Sequence, residues 1–250
     1  TTHDDIAFLQ YTGGTTGISK GAALTNKNMV ANMQQASAWI KNVVRDDPEI
    51  IITALPLYHI FSLTANCLTF MKHGWMNYLI TNPRDINGFV KEIKNLKFAG
   101  ITGVNTLFNG LLNHPNFKDV DFSKLILTLG GGMSVQQSVA QRWQETTGCT
   151  LIEAYGLTET SPAACINPME MKEFNGMIGL PIPSTEVSIQ DNDWNQLELG
   201  EQGEICIRGP QVMQGYWQRP EETAKVLSTD GWLHTGDIGI MNKDGYVKIV

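Results

Sequence analysis

A loop rich in glycine and threonine, residues 12–21, contains the residue types that could hold a polyphosphate. Its glycines free the backbone to turn amide N–H groups inward, which creates a concave site for an anion. Its hydroxyl groups add hydrogen-bond donors, and its lysine adds a positive charge. A flexible surface turn rarely combines several threonines with a lysine, so we expect a phosphate-binding loop. The expected contacts come from Thr12, Gly13, Gly14, Thr15, Thr16, Gly17 and Lys20.

Two other motifs partly match this loop. A Walker A loop ends in Gly-Lys-Ser/Thr, whereas here Ser19 precedes Lys20 and Gly21 follows it. Residues 17–21 also match the letters of a hydrolase nucleophile elbow, with Ser19 as the nucleophile. An elbow places its serine at a sharp turn between a strand and a helix, but about seven loop residues precede Ser19 here. A serine hydrolase therefore stays the last alternative.

A second polar segment, residues 153–162, follows an apolar run and offers an aromatic ring, a hydroxyl and a carboxylate. Tyr155 could stack on a base, and Thr158 could hydrogen-bond a phosphate. Glu159 could hold Mg²⁺, a hard cation that prefers carboxylate and phosphate oxygens. A turn with a solvated glutamate is the simpler explanation, but the phosphate loop favours a nucleotide site.

Strands and helices alternate along the part of the chain that carries these motifs. Amphipathic spacing and capping residues predict a helix after Thr25 or Asn26, one over residues 85–96, and one from Ser134 to Gly148, with Gln137 completing a capping box. Continuous apolar runs predict strands at residues 6–11, 50–55, 75–80, 98–102, 125–129 and 151–154. Such runs are typical of parallel strands with helices on both faces, whose ligands bind beyond the carboxyl ends of the strands.

Beyond about residue 175 the pattern changes to dense Gly and Pro with short apolar segments at 186–190, 203–208 and 246–250. We expect a smaller β-rich, barrel-like subdomain there. The predicted fold class is α/β: a mostly parallel sheet with helices on both faces, followed by that subdomain. The predicted division is residues 1–175, the α/β subdomain that carries the two motifs, and residues 176–250, the β-rich subdomain.

Composition and charge exclude several classes of protein. A net charge of −7 argues against a nucleic-acid partner. The four cysteines lack CxxC spacing, which predicts reduced, mostly buried thiols and argues against zinc. The chain has neither a signal-peptide pattern nor an apolar stretch of the roughly 20 residues that span a bilayer, so we expect a cytoplasmic protein.

Together these motifs resemble the signature of the adenylate-forming (AMP-binding) acyl-activating enzymes, and the resemblance covers essentially the whole chain. It implies that the first loop orients the β- and γ-phosphates of ATP. It also implies that Tyr155 stacks on adenine beside Gly156, that Thr158 contacts the α-phosphate, and that Glu159 ligates Mg²⁺. The resemblance places Gly131 and Gly132 against the purine, although a glycine run alone fits a tight turn equally well.

Two further residues take roles from the same resemblance. Residues 232–237 resemble the ribose-binding motif of the family, in which Asp237 accepts hydrogen bonds from both ribose hydroxyls. A bare Thr-Gly-Asp would otherwise be an ordinary turn. His59 would border the carboxylate pocket near the α-phosphate and is counted as catalytic with Lys20, Thr158 and Glu159, although a buried structural histidine is the usual explanation for apolar surroundings.

Residues 54–61, 80–85, 101–108 and 209–213 look like bacterial long-chain fatty acid–CoA ligases. This resemblance implies that ATP, Mg²⁺ and coenzyme A convert a fatty acid to acyl-AMP and then to acyl-CoA. Adenylation of a different carboxylic acid, or a nucleotide-binding core without turnover, stays open. Contact with the inner face of a membrane and formation of a homodimer also stay open.

Family members are roughly twice as long as this chain. We expect a central fragment that lacks most of the first subdomain, ends in mid-strand before a hinge and a mobile lid, and is inactive by itself.

Overall fold

The computed structural model describes residues 1–12, 19–44 and 48–250. Its described residues fall into two compact units, each built from separate segments. The hairpin unit contains residues 1–38, 155–166 and 177–250, and the parallel-sheet unit contains residues 39–154 and 167–176. As a division into functional parts, residues 1–175 and 176–250 stay a prediction.

The described strands, in chain order, are β1 (Ile6–Thr12), β2 (Lys20–Thr25), β3 (Ile50–Thr53), β4 (Met76–Leu79), β5 (Gly100–Gly103), β6 (Leu127–Gly130), β7 (Leu151–Gly156), β8 (Ala163–Ile166), β9 (Leu180–Pro181), β10 (Glu186–Gln190), β11 (Gly203–Arg208), β12 (Leu233–Met241) and β13 (Val247–Ile249). The α-helices are α1 (Asn26–Ile40), α2 (Thr69–Lys72), α3 (Ile86–Ile93), α4 (Asn105–Leu112), α5 (Gln137–Thr147) and α6 (Pro220–Ala224). A π-helix spans Ser62–Leu68, and 3₁₀ turns span Phe117–Asp119 and Thr158–Thr160.

The parallel-sheet unit confirms the predicted α/β architecture. Its strands pair in parallel in the order β4-β3-β5-β6-β7. Neighbouring residues of one strand point to opposite faces, and both faces are covered. Ile51 packs in a cluster with Phe70 and Leu127, while Ile52 packs in another with Phe108. This double burial explains why the strands appear in the sequence as uninterrupted apolar runs.

Helix α5 begins differently from the prediction. Its N-cap is Gln136 without a side-chain cap, so the capping box from Ser134 to Gln137 does not form. Side chains from elsewhere satisfy the N-terminal amides instead, because Gln136 N donates to Asn105 Oδ1 at 2.9 Å. The predicted end is confirmed: Gly148 adopts φ +74°, a left-handed conformation that glycine accommodates without strain.

The start of the hairpin unit corrects the prediction for the first strand. β1 pairs antiparallel with β2, with Thr12 opposite Lys20, so β1 belongs to a separate two-stranded sheet. The prediction that residues 6–11 form a strand of the parallel sheet is therefore wrong. Strand β2 was not predicted from the sequence, because its buried run, Ala22 to Leu24, is short and follows directly on the glycine-rich segment.

The second half of the hairpin unit confirms the β-rich prediction. Strands β10, β11, β12 and β13 form an antiparallel sheet in that order, and β8 pairs antiparallel with β9. Among the elements that were not predicted are β12 and α6. β12 contains the Thr-Gly-Asp segment that resembles a turn, and the short helix α6 has proline in its first turn.

Candidate functional site

The centre of the candidate site in the hairpin unit is a contact between two residues that the sequence assigned to the nucleotide. The Tyr155 hydroxyl donates to Asp237 Oδ2 at 2.6 Å. Burial, together with the neighbouring Asp237 carboxylate, raises the pKa of Tyr155, so the phenol keeps its proton and remains the donor. This hydrogen bond thus holds the aromatic ring and the carboxylate together.

Asp237 is carried by a bulge in the β11–β12 ladder. Glu204 pairs with Ile238 and Cys206 with His234, so three residues of β12 face the single residue Ile205. Side chains replace the ladder bonds that the bulge interrupts. Thr235 Oγ1 donates to the Ile205 carbonyl at 2.8 Å and accepts from Asp237 N at 3.1 Å.

Gly156 ends β7 where another residue could not fit. A Cβ at this position would overlap the carbonyl oxygen of Pro162. The chain then enters the 3₁₀ turn Thr158–Thr160, which is fixed by Leu157 N donating to Thr160 Oγ1 at 2.9 Å. Thr158 is partly buried at the first position of this turn.

The carboxylate of Glu159 has a specific partner. Tyr216 donates its hydroxyl to Glu159 Oε1 at 2.7 Å, and burial and this carboxylate raise the pKa of Tyr216. The backbone fixes the same region, because Met213 N donates to the Glu159 carbonyl at 2.8 Å. The oriented carboxylate is an oxygen donor of the kind that Mg²⁺ prefers.

Lys20 lies against the same tyrosine. Its Nζ is 5.0 Å from the centre of the Tyr216 ring and 2.7 Å from Glu222 Oε2. Hydrogen bonds from Lys20 and Lys225 lower the pKa of Glu222 to about 2, so this carboxylate is ionised at physiological pH. Tyr216 thereby connects Lys20 and Glu159, which the sequence assigned to the phosphates and to the metal. None of the motifs in the sequence analysis indicated Tyr216.

The remaining loop residues predicted to bind phosphate, 13–17, lie outside the described residues. Thr12 is described, as the last residue of β1. Ser19 immediately precedes β2, and its hydroxyl donates to the Thr12 carbonyl at 2.8 Å. A strand rather than a helix follows Ser19, so the geometry of a nucleophile elbow is not formed.

A cavity of about 200 Å³ lies within the hairpin unit. Its lining includes Glu159 and Tyr216 on the one hand and Thr235 and Gly236 of the bulge on the other. An extended ligand could therefore contact both the Glu159 carboxylate and the bulge.

Glu204, Cys206 and His234 form a group of possible metal ligands, with donor atoms all within 4.8 Å of one another. The sequence did not indicate this group, because its members come from two paired strands. Glu204 Oε2 already accepts from His234 Nδ1 at 3.0 Å, and Oε1 accepts from Gly236 N at 2.7 Å. Burial raises the pKa of the Cys206 thiol to about 12. Hydrogen bonding accounts for the arrangement of this group without a metal.

The parallel-sheet unit holds the other predicted residues. A Cβ on Gly131 would lie 3.1 Å from the Ala154 carbonyl oxygen and 3.2 Å from the Phe61 ring, and Gly132 has φ +74°. Both positions therefore favour glycine. His59 is exposed, so it is not a buried structural histidine. Its Nδ1 accepts from Phe61 N at 3.2 Å.

Comparison with known proteins assigns the family. A model of the family described as AMP-binding enzyme matches residues 1–217. The chain belongs to the AMP-binding enzyme family. It is 55% identical over 247 residues to a long-chain-fatty-acid–CoA ligase of Escherichia coli O157:H7, covering 99% of this chain and 44% of the relative. It is 40% identical over 248 residues to the corresponding ligase of Bacillus subtilis (strain 168), covering 98% of this chain and 43% of the relative.

A solved structure is also similar to this AMP-binding enzyme. ATP-bound MatB from Rhodopseudomonas palustris matches with a TM-score of 0.86 at 30% identity, covering 100% of this chain and 48% of MatB. The chain spans less than half the length of these relatives. In the part of the chain that the structure describes, no helix is long and apolar enough to cross a membrane.

Proposed function

We propose that the protein uses ATP to activate a long-chain fatty acid, first to acyl-AMP and then to acyl-CoA. The observation that carries this proposal is the hydrogen bond from Tyr155 to Asp237, which joins the two side chains expected at the adenine and the ribose. The family match and the names of the relatives at 55% and 40% identity support the choice of reaction and acid.

Each proposed nucleotide contact belongs to a residue that the sequence already assigned. In the hairpin unit, Asp237 would accept from the ribose hydroxyls while Tyr155 holds its carboxylate, and Thr158 would reach the α-phosphate beside Gly156. Gly131 and Gly132 would present bare backbone to the purine. Residues 12–17 and Lys20 would bind the β- and γ-phosphates. The ATP reported in the MatB structure supports a nucleotide ligand for this fold.

Glu159 would hold Mg²⁺, because its carboxylate is fixed by Tyr216 and is only partly buried. A bound Mg²⁺ would neutralise charge on the phosphate oxygens. The Lys20 ammonium would serve the same purpose from the protein side. In the described structure it pairs with Glu222, so polyphosphate would compete with that carboxylate for Lys20.

The chemistry has two halves. An oxygen of the fatty carboxylate attacks the α-phosphorus, the bond to the bridging oxygen breaks, and pyrophosphate leaves. The thiolate of coenzyme A then attacks the acyl carbon, and AMP leaves with the bonding electrons. Alignment and charge neutralisation supply most of the rate enhancement in such transfers. His59, exposed before the π-helix, would border the carboxylate pocket.

Activation of a different acid is the second candidate, since every motif argued above serves the nucleotide and none measures acyl length. Exchange of labelled pyrophosphate into ATP by the full-length protein, of which this chain is a part, separates the two. We expect palmitate to support exchange far better than malonate, an aromatic acid or an amino acid. Preference for one of those acids would contradict the long-chain assignment, and no exchange with any acid would contradict adenylation itself.

We propose the location and assembly of the protein from its sequence alone. The protein would be cytoplasmic and would have no nucleic-acid partner. Peripheral contact with the inner face of a membrane and formation of a homodimer are further proposals.

A further inference from the structure

The bulge that carries Asp237 presents a structural problem. Thr235, Gly236 and Asp237 face only Ile205 on the neighbouring strand, so the ladder cannot satisfy every backbone amide in this segment. An amide left without a partner would cost free energy and would let the segment adopt other conformations. Gly236 has φ +79°, which a ladder pair would not require.

Glu204 supplies the missing acceptor. Its Oε1 accepts from Gly236 N at 2.7 Å, and its Oε2 accepts from His234 Nδ1 at 3.0 Å. One carboxylate therefore holds the residue before the bulge and the residue at its centre. Hydrogen bonds to an ionised acceptor are shorter and stronger than neutral ones.

The histidine in this arrangement is itself fixed. The His234 side chain is only 4% exposed, and the Trp194 ring stacks on it at 3.9 Å between centroids with 28° between planes. The thiol of Cys206 lies 3.4 Å from Nδ1 on the neighbouring strand. Because His234 cannot move freely, the position of the Glu204 carboxylate is determined by the sheet.

We propose that Glu204 is a positioning residue for nucleotide binding: it fixes the bulge so that Asp237 meets the ribose hydroxyls in the correct orientation. This role rests on the proposed function, because it needs Asp237 to bind ribose. Glu204 lines the cavity, and in the proposed role it acts through the backbone of Gly236 rather than on the nucleotide directly. Its contribution must therefore disappear when the ribose hydroxyls are absent.

The test measures binding of AMP and of 2′,3′-dideoxy-AMP to the purified protein by calorimetry. Glu204→Met keeps the length of the side chain but removes both acceptors. We expect it to weaken AMP binding by about tenfold, as for a lost hydrogen bond to a charged group, and to leave binding of the dideoxy analogue within about twofold. Glu204→Gln retains an oxygen for Gly236 N and should recover most of the AMP affinity.

Glu186→Met is the matched control, since Glu186 is an exposed carboxylate of the same sheet that pairs with Arg208. It should change neither affinity. If Glu204→Met weakens binding of AMP and of the analogue equally, Glu204 stabilises the hairpin unit as a whole, and the proposal is wrong. Unchanged AMP affinity in Glu204→Met would also overturn it. If the wild-type protein binds AMP no more tightly than the analogue, Asp237 does not bind the ribose hydroxyls. The proposed role of Glu204 is then wrong as well.

Discussion

Tyr155 and Asp237 stand 82 positions apart, yet the phenol donates to Asp237 Oδ2 at 2.6 Å. One residue lies near the end of β7, and the other lies in the bulge of β12. The contact joins two separate sequence motifs in space. It also fixes one carboxylate oxygen, so that ribose hydroxyls would meet an acceptor whose orientation is already set. Preorganisation of this kind lowers the entropy lost on binding.

The first prediction concerns this hydrogen bond. Tyr155→Phe keeps the ring for stacking but removes the donor to Asp237, so AMP binding should weaken by about 1 kcal/mol. Asp237→Ala removes the acceptor for ribose as well and should cost about 1–3 kcal/mol. Calorimetry on the purified protein measures both.

Tyr246→Phe provides the control, because Tyr246 lies in the same unit but outside the site and its backbone N binds Asn242. AMP affinity that is unchanged in both Tyr155→Phe and Asp237→Ala would remove this pair from the nucleotide site.

The second prediction concerns Glu159 and the tyrosine that orients it. Glu159→Gln should leave AMP binding nearly intact while lowering the rate of adenylation, because only the charge that would hold Mg²⁺ is lost. Tyr216→Phe should raise the Mg²⁺ concentration needed for half-maximal rate by several-fold, about the effect of one lost hydrogen bond. Mg²⁺ titrations of pyrophosphate exchange measure both effects.

Glu221→Gln is a suitable control, since Glu221 is an exposed carboxylate of the nearby helix α6. A wild-type rate and wild-type Mg²⁺ dependence in Glu159→Gln would show that this carboxylate does not bind the metal.

Much of the fold could be predicted because burial leaves a direct trace in the sequence. Strands β3 and β5 are covered on both faces, and a mostly apolar run suits that environment. The strands that were missed lack this trace. β2 is a short run beside glycines, and β12 contains a bulge whose Thr-Gly-Asp has the composition of a turn.

The candidate site shows a similar limit. The residue types at Tyr155, Glu159 and Asp237 are enough to indicate a nucleotide, since base, metal and ribose each need a distinct chemistry. The partners of these residues could not be predicted. Tyr216 lies 57 positions from Glu159, and such a contact depends on how distant segments of the chain pack together, which residue type and local spacing do not encode.

The third prediction concerns Gly156. A Cβ at this position would overlap the backbone carbonyl of Pro162, which cannot move as the end of a flexible side chain could. Gly156→Ala should therefore lower the free energy of unfolding by about 2 kcal/mol or more, in the range of overpacking, and should also weaken AMP binding. Urea unfolding followed by circular dichroism provides the first measurement.

Gly110→Ala is the comparison, because a Cβ there would meet only the end of the Ile86 side chain, at 3.2 Å. In helix α4 this substitution should be neutral or slightly stabilising, since alanine is favoured over glycine in helices. Equal stability of Gly156→Ala and wild type would mean that the turn after β7 can rearrange.

The last prediction concerns Glu153, a buried carboxyl group in β7 that is 4% exposed. Burial raises its pKa from 4.5 to about 7, although Val135 N donates to its Oε1 at 3.0 Å and opposes the shift. Below pH 4.5 the group is protonated in both the folded and the unfolded chain. Between pH 4.5 and about 7 only the unfolded chain ionises it, so the free energy of unfolding should fall as the pH rises. The total loss from this group is about 3 kcal/mol.

Glu153→Gln removes the ionisation while keeping an oxygen for Val135 N. The variant should therefore resemble wild type near pH 4.5 and be more stable than wild type by about 3 kcal/mol at pH 8. Urea unfolding at intervals from pH 4.5 to 8 measures the difference. Glu145→Gln, on the exposed side of α5, should follow the wild-type curve throughout. If wild type and Glu153→Gln run parallel over this range, Glu153 does not titrate on unfolding and its burial does not destabilise the ionised form.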